Sequence, residues 1–170
     1  NEVVREFFDR HWSNTVKVAA AAITSLNRYL KINKHSSLNL DTITLAALIY
    51  NIGALPILTE AEKHADVFAN PTFLEQAISQ LAGKLGAKIM HSWGFGDEFV
   101  AVAQDWNKET FDPKNAAYSD FIRIGAYHAG ILTDNREKVI TNYADYGFLE
   151  SADILTDDDF NAEVGDAKTV

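Results

Sequence analysis

The stretch that decides the fold is Leu45-Ala46-Ala47-Leu48-Ile49-Tyr50-Asn51-Ile52-Gly53-Ala54-Leu55. Residues 43–52 are almost wholly apolar, which predicts a helix that is buried on most of its sides. Asp41 precedes this run and is expected to cap the helix. Gly53 and Pro56 follow it, and both residues favour the end of a helix. The stretch therefore predicts a buried helix that ends in a sharp turn.

Helical spacing of apolar residues dominates the rest of the chain, and no alternation typical of strands is long enough to predict a sheet. The sequence therefore predicts an all-α fold. Its first helix is expected to be central and to end at the loop 33–37. Further helices are expected at 59–68, after a capping box at 72–75, at 97–106 and at 118–132. The stripe of the first helix consists of Val4, Phe8, Trp12, Val16, Ala19, Ile23, Leu26 and Leu30.

Length and composition favour one domain that lies in a reducing compartment. The chain has 170 residues and no cysteine, which excludes disulfides and a cysteine-based zinc site. A cytoplasmic location is expected. Neither a signal-peptide pattern nor a run of about 18 apolar residues is present, so no membrane partner is predicted. The first residue is Asn1 rather than methionine, and we expect the chain to be part of a longer protein.

The net charge of −9 is concentrated near the carboxyl end, where residues 134–170 hold 10 acidic and 3 basic residues. Such a balance repels nucleic acid, so no nucleic-acid partner is predicted. We divide the chain into a body, 1–133, and an acidic extension, 134–170, that packs on it. Residues 157–159, three aspartates, suit a helix N-terminus. The extension's apolar side chains either attach it to the body or anchor a basic protein partner. They are Tyr143, Tyr146, Phe148, Leu149, Ile154, Leu155 and Phe160.

Motifs for catalysis are absent from the sequence. No two histidines lie four residues apart, no HExxH occurs, and no serine lies in a G-x-S-x-G elbow. The short glycine pairs complete no phosphate-binding loop. The sequence therefore predicts no catalytic residue, no metal and no cofactor. The histidines concerned are His11, His35, His64, His91 and His128.

The central stretch resembles the helix "LAxLLHDIGKL" of the HD-domain superfamily, in which His-Asp binds a metal; here Tyr50-Asn51 takes that place. Four other segments resemble motifs of the HDOD branch of this superfamily, and they occur in the expected order. The segments 12–19, 85–95, 99–106 and 121–126 resemble "WxHSLxVA", "VGAxLLxxWGL", "IxxAIxxHH" and "VxLAD" respectively.

The resemblance implies an HD-like helical bundle of the HDOD type, corresponding to the second half of an HDOD module. It also implies that the metal-ligand positions are degenerate. Asn14 and Asp105-Trp106 stand at histidine positions, as Ala82 does in a looser alignment, and Ala126 stands at an aspartate position. We expect Asn14 and Asn51 to be largely buried and close to each other.

The function that the resemblance implies is that of a non-catalytic regulatory or protein-interaction module in bacterial signal transduction. A signalling or output domain is then the expected protein partner, and the oligomeric state stays open. One alternative is a diverged HD-type metal-dependent phosphohydrolase. Another is a small-ligand sensor that uses a vestigial pocket. The residues expected to line that pocket are Asn14, Tyr50, Asn51, Asp105 and Trp106.

Overall fold

The computed structural model describes residues 2–169, and these contain eight α-helices, one short 3-10 helix and no strand. The all-α prediction is therefore confirmed. The helices are α1 (Glu2–Ile32), α2 (Leu40–Ile49), α3 (Ala54–Lys63), α4 (Pro71–Ser92), α5 (Asp97–Asp105), α6 (Tyr118–His128), α7 (Arg136–Asp145), the 3-10 helix (Ile154–Thr156) and α8 (Asp158–Lys168).

Helix α1 is the centre of the bundle and contacts α2, α3, α6 and α8. Its middle turns bury Val18 and the four alanines 19–22. Small side chains let neighbouring helices approach closely, and here they do so on more than one side of α1. The sequence prediction of a central first helix is confirmed.

Two clusters of apolar side chains pack along α1. The larger cluster joins the second half of α1 to α2, α6 and the C-terminal helices. The smaller one joins the start of α1 to α3 and α4 through Val4, Leu58 and Leu74. Both clusters therefore depend on the same helix.

Most of the extension's apolar side chains are buried in the larger cluster. Tyr143 and Phe160 are fully buried, and Phe148 is nearly so, whereas Tyr146 keeps 57% of its surface exposed. Arg28 of α1 adds ion pairs to two acidic residues of the extension, one at 3.0 Å and one at 2.6 Å. Packing against the body thus accounts for all of these aromatic side chains except Tyr146.

Two predicted helix caps are wrong. The side chain of Asn39, not Asp41, accepts the N–H of Thr42 at 2.8 Å, and α2 begins after it. The cap of α4 is Asn70 rather than Thr72, with Pro71 in the first turn. In both places an asparagine two residues upstream has the extended backbone that a cap requires. The aspartates at 157–159 do begin α8, as predicted.

Helices α3 and α6 also differ from the prediction, and α3 ends at Lys63 rather than at residue 68. Helix α3 begins at Ala54, not Thr59, because the turn at 50–53 is tight and the proline lies in the first turn of α3, where no N–H is needed. Helix α6 ends at His128, not Leu132. Gly130 has a φ of 78°, and the N–H of Ile131 donates back to Ala126 at 2.9 Å. The chain therefore reverses four residues early.

By length and composition alone, Leu40–Lys63 is apolar enough to cross a membrane. In the structure, the turn at 50–53 divides this stretch into α2 and α3. Ile43 and Leu58 from the two helices are fully buried in the two clusters. Packing inside the bundle accounts for the apolar character of the stretch.

Gly53 is the position where this turn leaves no room for a side chain. A Cβ there would lie 1.9 Å from the carbonyl oxygen of Ala82 and 2.6 Å from the nitrogen of Gly86. We expect Gly53→Ala to lower the free energy of unfolding by about 3 kcal/mol or more, since backbone atoms must move. In thermal denaturation this corresponds to a Tm lower by about 6–12 °C.

Gly165→Ala is the matched control, because the space around Gly165 in α8 is open. Alanine is the better helix former by about 0.5–1 kcal/mol, so this change is expected to raise the Tm slightly. A loss of about 1 kcal/mol would lower the Tm by about 2–4 °C. A Tm for Gly53→Ala within 2 °C of the parent would therefore contradict the close packing around Gly53.

Candidate functional site

A cleft of about 680 Å³ lies beside α1, where the two apolar clusters meet. One wall comes from the first turns of α1 and from the turn that opens α3. A second comes from α4, and a third from the two chain reversals that follow α5 and α6. The residues that line it are Phe7, Arg10, His11, Asn14, Asn51, Ala54, Leu58, Glu75, Ile78, Ser79, Ala82, Gly83, Trp106, Asn107, Ala129, Gly130, Ile131, Leu132 and Asp134.

Asn14 and Asn51 both line this cleft, from α1 and from the turn before α3. Both residues are partly buried, and the expectation that they are largely buried and close to each other stays a prediction. No hydrogen bond of either amide is formed with the residues from 2 to 169. The amides are consequently free to bind another molecule.

Tyr50 and Trp106 form an aromatic pair at the edge of the cleft. Trp106 lines it, whereas Tyr50 lies behind and is 3% exposed. Their ring centroids are 4.8 Å apart and the planes make an angle of 78°. Burial raises the pKa of the Tyr50 hydroxyl, which therefore stays protonated at neutral pH. Tyr50 supports the Trp106 ring and is not itself available to a ligand.

Asp105 does not line the cleft, although the sequence places it beside Trp106. Its carboxylate accepts a hydrogen bond from Lys108 at 2.8 Å on the outer surface. Only its backbone carbonyl faces inward, where Arg123 binds it. Of the five residues expected in the pocket, three line the cleft, Tyr50 lies behind it and Asp105 points away.

Ala82 and Ala126, which stand at metal-ligand positions of the HD superfamily in the resemblance, lie in different places. Ala82 of α4 lines the cleft. Ala126 is fully buried within α6 and does not line it.

Several polar residues that line the cleft were not predicted from the sequence. His11 is one helical turn before Asn14, so the spacing of three residues was the signal that places both on one face. Arg10 lies with its guanidinium over the Phe7 ring, 4.8 Å from the centroid. The others come from α4 and the two chain reversals, and no local pattern connects them. They are Glu75, Ser79, Asn107 and Asp134.

A buried ion pair lies behind the Trp106 wall and was also missed. Arg123 and Asp120, both on α6, are joined at 3.0 Å with almost no exposed surface. Asp120 further accepts the backbone N–H of Ala117 at 2.8 Å and the hydroxyl of Tyr143 at 2.9 Å. Burial raises the pKa of Tyr143, so its hydroxyl keeps its proton and can donate. The spacing of three residues between opposite charges was the available signal.

A crystal structure from Shewanella amazonensis SB2B, described as a "Putative metal-dependent phosphohydrolase", resembles this chain in both sequence and fold. The two chains are 35% identical and superpose with a TM-score of 0.91. The chain has an HD-like fold. The match covers 99% of this chain and 61% of the Shewanella protein, so this chain spans about three fifths of that protein's length. Neither the protein-family models nor the curated proteins contain a match. The similarity supports the resemblance at the level of the HD superfamily.

A metal fits the cleft residues poorly. Residues 2–169 contain no group of three or more histidine, cysteine, aspartate or glutamate side chains placed to hold an ion. A divalent catalytic metal needs several imidazole or carboxylate ligands that converge on one point. The cleft instead offers amides beside one imidazole and two separate carboxylates. No reaction step through a metal follows from this donor set.

His11 gives the cleft a pH dependence. Burial lowers the pKa of its imidazole below the ordinary value of 6.5. In the unfolded chain His11 has its ordinary pKa, so it takes up a proton at a higher pH there than in the folded protein. The free energy of unfolding therefore falls as the pH is lowered from about 7. We expect His11→Gln to reduce the decline in Tm between pH 7 and pH 5.5, measured by thermal denaturation.

His35→Gln is the control for this measurement, because His35 is exposed in the loop after α1. Its profile shows how the loss of a histidine outside the cleft affects the measurement. Parallel profiles for the parent and His11→Gln would show that His11 is not protected by the cleft.

Proposed function

We propose that this chain is a non-catalytic regulatory module of the HDOD type, acting in cytoplasmic bacterial signal transduction. In this proposal its cleft binds a small, uncharged polar ligand. The observation that carries it is the set of three asparagines, Asn14, Asn51 and Asn107, that line one cleft together with Trp106. No cluster of metal ligands accompanies them within residues 2–169.

The chemistry of these side chains defines the ligand. An amide both donates and accepts hydrogen bonds, so three amides suit a molecule whose edge carries both kinds of group. Trp106 offers an aromatic surface to a flat ring. The charged lining consists of Arg10, Glu75 and Asp134, with the neutral His11, and its formal balance is −1. An anionic phosphate is therefore less favoured than an uncharged molecule.

A metal-dependent phosphohydrolase is the second candidate, and the similarity to the Shewanella protein favours it. The donor set is the argument against it, because amides are weak ligands for a metal that must activate water. Asp105, the carboxylate expected near the site, is paired with Lys108 outside the cleft.

A basic protein partner remains part of the proposal. The extension carries most of the negative charge of the chain, and charge complementarity speeds the encounter with a basic surface. Tyr146 is the one aromatic side chain of the extension that is well exposed, so it is the candidate anchor.

The first test measures metal content and metal-dependent hydrolysis. We expect protein purified without chelator to contain far less than one equivalent of Fe, Mn, Zn or Ni by elemental analysis. We also expect no hydrolysis of bis-p-nitrophenyl phosphate with Mn²⁺, since the cleft lacks a ligand set. Activity that disappears in Glu75→Gln or Asp134→Asn, the two carboxylates of the cleft, would overturn the non-catalytic assignment.

Ligand selectivity is the second test. In ligand-observed NMR with pairs of uncharged heterocycles and their phosphate esters, we expect the uncharged members to bind. Asn51→Leu should weaken that binding by up to roughly tenfold, since one hydrogen bond contributes about 0.5–1.5 kcal/mol. Gln80→Leu is the control, because this exposed amide of α4 lies outside the cleft. Tighter binding of the phosphate esters would contradict the proposed ligand class.

A further inference from the structure

Trp106 lies just beyond the end of α5, where backbone groups are no longer paired by the hydrogen bonds of the helix. The last carbonyl groups of a helix have no partner within it, so they need donors from elsewhere. Such a donor is supplied to Asp105, whose carbonyl oxygen accepts a hydrogen bond from the guanidinium of Arg123. A cation is also favourable at the C-terminal end of a helix. The residue before Trp106 is thus attached to α6.

Arg123 is in turn held by the extension. It is 1% exposed, and its guanidinium donates to the hydroxyl of Tyr143 on α7. The same hydroxyl donates to Asp120, the ion-pair partner of Arg123. The Nε atom of Arg123 has no partner among the described residues. The guanidinium therefore depends on three neighbours, and one of them belongs to the extension.

The chain reversal that follows α6 is attached to α6 and to the loop after Trp106. The hydroxyl of Tyr127 on α6 donates to the backbone carbonyl of Asp134 at 2.8 Å, and Asp134 lines the cleft. The next residue, Asn135, donates through its side chain to Glu109, which belongs to the loop after Trp106. Both reversals that form the third wall of the cleft are consequently linked to each other and to α6.

We propose that Arg123 is a positioning residue of the cleft, and that the extension sets the place of the Trp106 wall through Tyr143. In this arrangement the extension is a working part of the cleft and not only a cover of the apolar core. The inference goes beyond the proposed function and needs no particular ligand, since it concerns the position of one ring. A partner that moves α7 would change the cleft through the same contacts.

Trp106 itself can report its position. Trp12 and Trp93 are 66% and 65% exposed, so replacing both with phenylalanine costs little packing and leaves Trp106 as the sole tryptophan, which can be excited selectively. In this background, Tyr143→Phe removes one hydroxyl and keeps the ring. We expect the acrylamide quenching constant of Trp106 to rise about twofold, because local opening of the wall exposes the ring. The helical circular dichroism should not change.

Arg123→Lys provides a second variant. An ammonium group keeps the charge but lacks the planar fork that reaches Asp120 and the Asp105 carbonyl together. Quenching is expected to rise here as well. Should this variant fail to fold, Tyr143→Phe decides the matter alone, since it removes no charge from the core.

Phe160→Leu separates positioning from general loss of stability. Phe160 is fully buried in the same extension, and its ring contacts are to His128 and Arg28, not to Arg123. The change is expected to lower the Tm while leaving Trp106 quenching at the parent value. The inference is overturned if Tyr143→Phe leaves quenching unchanged, or if Phe160→Leu raises it equally.

Discussion

The buried ion pair between Arg123 and Asp120 is the interaction on which the surroundings of the cleft depend. Two charges without water are costly unless each is well paired and hydrogen-bonded. Asp120 meets this condition through Arg123, Tyr143 and the N–H of Ala117. Because these partners come from α6, its N-terminal cap and α7, the pair fixes three segments relative to one another. Removing a single member would leave a buried charge without its partner.

The helical bundle was largely predictable from the sequence, since its signals are local. The apolar run at 43–52 and the stripe of α1 follow directly from helical spacing. The caps at Asp41 and Thr72 were wrong, because an asparagine just upstream competes for the same role and local pattern does not rank the two. Gly130 ended α6 early for a similar reason, as its left-handed backbone outweighed the apolar residues that follow.

The cleft was only partly predictable. The resemblance drew attention to Asn14, Asn51 and Trp106, which the structure brings to one cavity. It said nothing of Ser79, which α4 brings to the cleft, or of Asn107 and Asp134, which lie in chain reversals far apart in sequence. It also placed the Asp105 side chain in the pocket, whereas a surface contact with Lys108 turns it outward. The side chains of a pocket are set by tertiary contacts, and single-sequence patterns describe only neighbours along the chain.

Helix α1 runs through both apolar clusters without interruption from Glu2 to Ile32. At about 1.5 Å per residue its length is roughly 46 Å, and no break in the helix divides the part in one cluster from the part in the other. Opening either cluster removes the packing from half of a helix whose other half is still held. The two clusters are therefore coupled through a shared backbone. Slow amide exchange in the middle of α1 would then measure the stability of the entire bundle, with no separate value for either half.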